Sequence, residues 1–442
     1  MERRGDSSNS LARMFMSTQP PGTRGRSARQ PHGLVAALDI GTTKVCCIIA
    51  SVGEHGVVNI LGIGHTPSDG LNRGVVVNIE KTVRSIERAV DEAQQQAGAT
   101  IDSVTVGIAG DHIQSFQCRS VVAIGNPDHE IRQRDVNRLL SDAKRVAIPT
   151  DRRIIHVIPQ EFIVDGQDGV HDPVGMSGVR MEANVHIVTG LVTAAENIYK
   201  CVERTGLSVK DMVLEPLASS YAVLDEEEKE VGVVLIDIGG GTTDIAIFEE
   251  HTIRHTAVIG IAGRKVTDDI RKGLGLLHDQ AEKLKRQYGC AYADLIMNDE
   301  DIILPGIGGR KPTSISKSLL CRVIQPRMEE ILEFALLEVR RSGYGKHLSA
   351  GAVITGGGAL VRGTVELAQH VLNMPVKIGI PTCGTGGLAP EIENPMYATA
   401  VGLLNHEVRH LEQSAMGGDD EGTESRPGRT IFGKMRAWFD EL

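Results

Sequence analysis

Residues 233–250 read VVLIDIGGGTTDIAIFEE. The first six are apolar apart from Asp237, a run that predicts a buried strand. Gly239, Gly240 and Gly241 interrupt it, Thr242, Thr243 and Asp244 follow, and residues 245–248 resume an apolar run that predicts a second strand. Glycines let a backbone approach a ligand closely. Successive N–H groups in a turn between two strands form an anion-binding concavity. Asp237 is delivered beside that turn, where a carboxylate can hold a hydrated Mg2+ next to phosphates. A glycine-rich hairpin with Thr and Asp as plain turn formers accounts for the same residues.

The pattern occurs twice. Residues 34–49 read LVAALDIGTTKVCCII: an apolar run with Asp39, then Gly41, Thr42, Thr43 and Lys44, then a second apolar run. Two such units, one near the start of each half, predict an internal duplication. A third glycine turn, residues 353–360 (VITGGGAL), leads into a helical pattern at 365–370. The start of that helix could offer N–H groups to a nucleotide. The sequence contains no G-x-x-x-x-G-K-[ST], which excludes a P-loop, and no G-x-G-x-x-G opens a helix after the first strand, which argues against a dinucleotide fold.

In order and spacing the three motifs resemble the actin-like ATPase superfamily, with residues 38–43 as first phosphate loop, 237–244 as second and 355–358 as adenosine turn. The resemblance implies an α/β, actin-like two-domain (duplicated ribonuclease-H-like) ATPase fold with ATP and Mg2+ as cofactors. It assigns nucleotide contact to Gly41, Thr42, Thr43, Lys44, Gly239, Gly240, Gly241, Thr242, Thr243, Gly356, Gly357 and Gly358. Gly263 and Lys265, at a helix start that Thr267 is expected to cap, resemble a further nucleotide-facing turn. Asp39 and Asp237 would hold the metal through water. Glu215 resembles a glutamate that positions the attacking water; a helix-start carboxylate favoured by the dipole is its other reading.

Length and composition set the bounds. A chain of 442 residues, 41% hydrophobic, should fold as more than one domain. Its net charge is −10, and because residues 1–31 carry six arginines against two acids, the remainder is near −14. An acidic body argues against nucleic acid as partner. Seven scattered cysteines without a C-x-x-C indicate neither a disulfide framework nor a zinc site, and fit a reducing cytoplasm. No apolar run reaches membrane-span length, and no signal-peptide core follows the basic start.

Residues 1–31 predict a disordered extension. The first core subdomain is expected over 32–109 and 191–230, interrupted by an inserted subdomain at 110–190. The second core subdomain is expected over 231–262 and 341–410, with an outer subdomain at 263–340. Within the insert, residues 156–162 (HVIPQEF) and 174–183 (VGMSGVRMEA) resemble the relocated inserted subdomain of the FtsA family of bacterial cell-division proteins, and the resemblance runs on through 232–248, Pro326-Arg327 and 397–404. Residues 225–230 read as a charged loop. In that family the outer subdomain receives the C-terminal peptide of the tubulin-like FtsZ, so Lys317, Arg322 and Arg327 become cations able to meet an acidic peptide; a solvated helix face is their plainer reading.

His406-Glu407-Val408-Arg409-His410 matches H-E-x-x-H, the zinc-protease helix. The context fails it: the helix is expected to end at once in a polar linker (411–428), and no third ligand is implied. Residues 429–442, RTIFGKMRAWFDEL, place Ile431, Phe432, Met435, Trp438, Phe439 and Leu442 on one helical face, the pattern of an interfacial membrane helix. Asp440 and Glu441 offset the nearby cations, so one tail should bind lipid weakly and tails arrayed on a polymer cooperatively.

The family resemblance implies an ATP-binding division protein that polymerises and tethers FtsZ filaments, with other division proteins, to the cytoplasmic face of the inner membrane at the septum, hydrolysing ATP slowly at most. A small-molecule kinase of the same superfamily leaves the terminal helix unexplained. A chaperone ATPase would need a substrate domain after residue 410.

Overall fold

The computed structural model describes residues 33–53, 57–304, 311–384 and 386–416. The expected N-terminal extension and the helix at 429–442, with Ile431, Phe432, Met435, Trp438, Phe439 and Leu442, lie outside the described residues, as does the linker beyond Met416. Among the described residues no helix is long and apolar enough to cross a membrane.

The chain opens with a meander, β1 (Leu34–Ile40), β2 (Lys44–Val52) and β3 (Val58–Pro67). A short hairpin of β4 (Leu71–Asn72) and β5 (Val75–Val76) leads to α1 (Ile79–Ala97) and β6 (Ser103–Ile108). Helix α1 lies tight on β3, because a Cβ at Gly64 would come 1.9 Å from the Ala89 carbonyl oxygen. Then β7 (Gln114–Ala123), α2 (Gln133–Ala143), β8 (Arg152–Val164), β9 (Gln167–Val170) and β10 (Arg180–Leu191) form a separate sheet, ordered β7-β10-β8-β9, with its own core around Leu139, Met181 and Ile187.

The first sheet resumes with α3 (Val192–Glu203), β11 (Ser208–Leu214) and α4 (Glu215–Val223). Residues 226–231 correct the sequence reading. They form a short helix, α5 (Glu226–Val231), because Asp225 and Glu228 make a reciprocal capping box and three glutamates sit in the first turn, where the dipole favours them.

The second half repeats the plan. It runs through β12 (Val233–Ile238), β13 (Thr243–Glu249) and β14 (Thr252–Ile259), then α6 (Gly263–Leu274), α7 (His278–Tyr288), a ribbon of β15 (Asp301–Leu304) and β16 (Thr313–Ser316), and the long α8 (Lys317–Ser342). It closes with β17 (Gly351–Thr355), α9 (Thr364–Leu372), β18 (Val376–Ile378), the edge strand β19 (Gly386–Gly387) and α10 (Ala398–Met416). Thr267 lies inside α6 rather than at its cap, since the helix begins at Gly263. The last helix among the described residues runs beyond residue 410 to Met416, past the point where the sequence placed a linker.

The two sheets share one topology. The first is ordered β11-β6-β1-β2-β3-β19 and the second β18-β17-β12-β13-β14, each with an antiparallel meander and parallel strands beyond it. The expected duplication is therefore present in the fold. Strands β1 and β12 are buried on both faces, which is why they read as nearly unbroken apolar runs. Between the sheets lie α4 and α10, packed so closely that a Cβ at Gly402 would come 1.8 Å from the Ala218 carbonyl oxygen. The largest core runs continuously through these helices from the first sheet to Leu235 and Val353 of the second.

The insert docks on the second half through polar contacts. Gln160 Nε2 donates to the carbonyl oxygens of Ile253 (2.7 Å) and Arg254 (3.2 Å), and His186 Nε2 lies 3.0 Å from Thr256 Oγ1. Burial, with His255 and His156 nearby, pushes the His186 pKa down to about 4 from an ordinary 6.5. Between those values the unfolded chain binds a proton that the folded chain excludes, so stability complete above pH 6.5 is lost as pH falls toward 4, by up to about 3 kcal/mol. The urea midpoint should fall across this window in the wild type and less steeply in His186→Gln; identical slopes would remove the histidine from the account.

Candidate functional site

The strand order sends the carboxyl ends of β1 and β12 toward each other, and each hands an aspartate to the turn that follows. Both turns close the same way: the Gly41 amide donates to the Lys44 carbonyl and the Gly239 amide to the Thr242 carbonyl, each at 3.0 Å. Strand register pairs Ile40 with Val45 and Ile238 with Thr243, so residues 41–44 correspond to 239–242. Thr42 and Thr43 thus occupy the places of Gly240 and Gly241. The two hairpins meet across the cleft on this difference. A Cβ at Gly240 would come 2.3 Å from Thr43 Cγ2, and one at Gly241 would come 2.3 Å from Thr42 Oγ1.

Around this contact a cleft of about 1960 Å3 is lined by Asp39, residues 41–44, Glu215, Asp237, residues 239–242, Asp244, Gly263 and residues 356–358. Gly356 adopts φ +83°, and a Cβ there would lie 2.3 Å from Asp237 Oδ1 and 2.6 Å from the Ile238 carbonyl oxygen. Only glycine serves in both respects. The third turn is thereby pressed against the second hairpin, followed by a 3-10 turn (Gly357–Leu360) before α9.

The cleft is rich in buried acid. Lys44 Nζ donates to Asp39 Oδ2 at 2.7 Å. Burial alone would lower the Lys44 pKa, but the Asp39 carboxylate holds it above the ordinary lysine value. Asp237 Oδ2 accepts from Ser219 Oγ at 2.7 Å and from Thr399 Oγ1 at 3.3 Å, yet burial still raises its pKa. Burial raises Asp244 well above the carboxylate range, with Asp237 adding to the effect, and Glu215 likewise, with Asp39, Asp244 and Asp237 as its neighbours. Asp244 Oδ2 accepts from Thr242 Oγ1 at 3.0 Å, while its buried Oδ1 has no hydrogen-bond partner. One lysine among four carboxyl groups leaves a site that favours an added cation.

Two expected contacts sit elsewhere. Thr243 is fully buried and donates to the Ile261 carbonyl oxygen at 2.8 Å, and Lys265 is an exposed residue that does not line the cleft. Arg264 lines it instead, as do Glu282 and Lys285 of α7, which the sequence reading missed. Lys285 Nζ donates to the Gly263 carbonyl oxygen (3.1 Å) and to Thr267 Oγ1 (2.8 Å) and pairs with Glu282 at 2.7 Å, locking α7 to the start of α6. A helix-spaced Glu-x-x-Lys pair is common on solvated faces, so no local pattern marked it.

The outer cations also differ from their sequence reading. Arg327 Nε donates to Asp269 Oδ2 at 2.6 Å and also pairs with Glu330, tying α8 to α6. Lys317 pairs with Glu300 at the rim of the cleft. Arg322 is exposed.

Gly240→Val should drive Thr43 from its place, part the two hairpins and weaken binding of a fluorescent ATP analogue by more than about tenfold, 1.4 kcal/mol. An unchanged affinity would remove this contact from the binding site.

Comparison with known proteins agrees with this geometry. In solved structures, the PilM–PilN type IV pilus biogenesis complex superposes with a TM-score of 0.61 at 17% identity, covering 86% of this chain and 99% of that one. MreB5 of Spiroplasma citri bound to ADP superposes with a TM-score of 0.53 at 16% identity, covering 87% and 99%. These likenesses show an actin-like fold. The family model for cell division protein FtsA matches residues 234–402, and that for the SHS2 domain inserted in FtsA matches 110–189, the segment of the separate four-stranded sheet. Relatives named cell division protein FtsA include those of Pseudomonas aeruginosa, 47% identical over 92% of this chain and 98% of that one, and of Escherichia coli K12, 42% identical over 86% and 92%. With both family models matched and relatives at this identity over most of its length, the chain belongs to the FtsA family of cell division proteins.

Proposed function

We propose that the chain binds ATP with Mg2+ in the cleft and, in that state, assembles into polymers that tether FtsZ filaments to the cytoplasmic face of the membrane at the division septum. The close contact of the two hairpins, beside a buried Asp244 oxygen without a partner, is the observation that carries the reading. In it the backbone amides of 42–43 and 240–242 cradle phosphates, Lys44 neutralises one of them, and residues 356–358 receive the adenosine. Asp39 and Asp237 hold the hydrated cation. A triphosphate with its cation supplies the charge that draws the halves together. Glu215, at the first position of α4 and beside Gly107, orients a water toward that cleft. Burial raises its pKa, which shifts the carboxyl toward its protonated form and leaves less carboxylate to act as base, and this suits slow hydrolysis.

The membrane contact rests on the amphipathic pattern of 429–442, with Trp438 the single tryptophan. Sedimentation with liposomes should increase with ATP and further with FtsZ, and Trp438 emission should shift to the blue. If neither change occurs, or if the sedimentation survives removal of 429–442, the anchor is wrong.

The FtsZ contact is supported by exposed apolar side chains of the second half, Ile303 (76%) and Leu319 (39%), with Arg322 exposed one turn beyond Leu319 on α8. Apolar side chains beside an exposed cation suit an acidic amphipathic peptide. Arg322→Glu should weaken binding of an FtsZ tail peptide about tenfold with the melting temperature unchanged. Arg327→Glu should lower the melting temperature, because it leaves Asp269 facing a carboxylate. Equal peptide affinity in Arg322→Glu and wild type would place the FtsZ contact elsewhere.

A further inference from the structure

The pattern His406-Glu407-x-x-His410 lacked a third ligand in the sequence, and the fold brings one. Asp211 lies on β11, the edge strand of the first sheet, and one donor atom from each of Asp211, His406 and His410 lies within 4.8 Å of the others. His406 Nε2 is 2.9 Å from Asp211 Oδ2, and the rings of His406 and His410 meet edge to face with centroids 4.5 Å apart. Helix geometry explains the second pair, since residues four apart share a face.

The strand side is shaped by an irregularity. Pairing of β11 with β6 slips between Val209 and Asp211, and the consecutive side chains of Lys210 and Asp211 both reach α10. A bulge re-aims side chains in this way. Asp211 Oδ1 accepts from the Met212 amide at 2.8 Å, which fixes the carboxylate and leaves Oδ2 toward the histidines. Tyr221 stacks on His406 with centroids 5.8 Å apart, walling one side.

Glu407 is held away from this cluster. Lys210 Nζ donates to its Oε1 at 2.6 Å and Thr105 Oγ1 to its Oε2 at 3.0 Å, and the side chain is buried. It cannot serve as the base of a zinc protease, so the cluster has the ligands of such a site without its chemistry.

We propose that Asp211, His406 and His410 form a binding site for Zn2+, with water in the fourth position, which fastens α10 to the edge strand β11. A tetrahedral ion with bonds of about 2.0–2.1 Å needs donor atoms roughly 3.3 Å apart. The His406–Asp211 spacing is close to this, and a small rotation of the exposed side of His410 completes it. Two imidazoles and one carboxylate select zinc-like ions over Mg2+, which the oxygen-only acids of the nucleotide cleft suit better. The two sites therefore load independently, and zinc braces α10 just before residue 416.

Zinc titration of the full-length protein against a chromophoric chelator, without nucleotide, tests this. Wild type should bind in the micromolar range or tighter. His410→Ala and Asp211→Asn should each lose more than about tenfold in affinity, while Glu407→Gln stays within about threefold. Zinc should raise the melting temperature of the wild type and not that of His410→Ala. Should a variant fail to fold, Co2+ added to the wild type provides a second measure, through the visible bands of a tetrahedral site. No zinc binding in that range, or equal affinity in wild type and His410→Ala, would reduce the cluster to a hydrogen-bonded ion pair.

Discussion

Everything in this molecule is arranged around two backbone turns that almost touch. Thr42 and Thr43 project from one hairpin into space that Gly240 and Gly241 leave open in the other. Because register makes these residues equivalent in the duplicated halves, the asymmetry is a matched one: bulk on one side answers its absence on the other. The contact is possible only if the sheets stand at the right separation. That separation is set by α4 and α10, which pack through Gly402 against the Ala218 carbonyl with no side chain between them. A core continuous from one sheet to the other makes the spacing stiff.

The same closeness creates the electrostatic problem that the cleft lives with. Asp39, Asp237, Asp244 and Glu215 converge in a region largely shut off from water, and among the described residues Lys44 is the one cation directly paired there. Removing an ionised carboxylate from water costs several kcal/mol unless partners replace the solvent. Hydroxyls of Ser219, Thr399 and Thr242 satisfy part of this need, and one oxygen of Asp244 remains unserved. The cleft thus favours a ligand that brings positive charge with it.

The insert is joined to this machinery by two kinds of contact. It carries its own core and meets β14 through Gln160 and His186, while Val188 of β10 and Ile155 and Ile158 of β8 pack into the largest core. Strand β14 is paired to β13, which begins at the second turn, so the insert lies one strand away from the ligand-facing backbone.

The sequence alone determined the fold class, the duplication and the three glycine turns, because doubly buried strands read as apolar runs and close backbone approach demands glycine wherever it occurs. It determined the amphipathic character of residues 429–442 for the same reason, that helical periodicity is local. What it could not rank was the use of individual charged side chains. Lys265 and Lys285, or Arg322 and Arg327, look alike as letters, and only the packing of α6, α7 and α8 decides which faces the cleft, which faces solvent and which is neutralised by Asp269. Repetition of Gly-Thr-Thr also suggested a one-to-one match that the strand register shifts by two residues. Partners far apart in the chain, such as Asp211 with His406, exist only once β11 and α10 have been brought together. Local physics fixes what each segment is, and tertiary contact fixes what each charge meets.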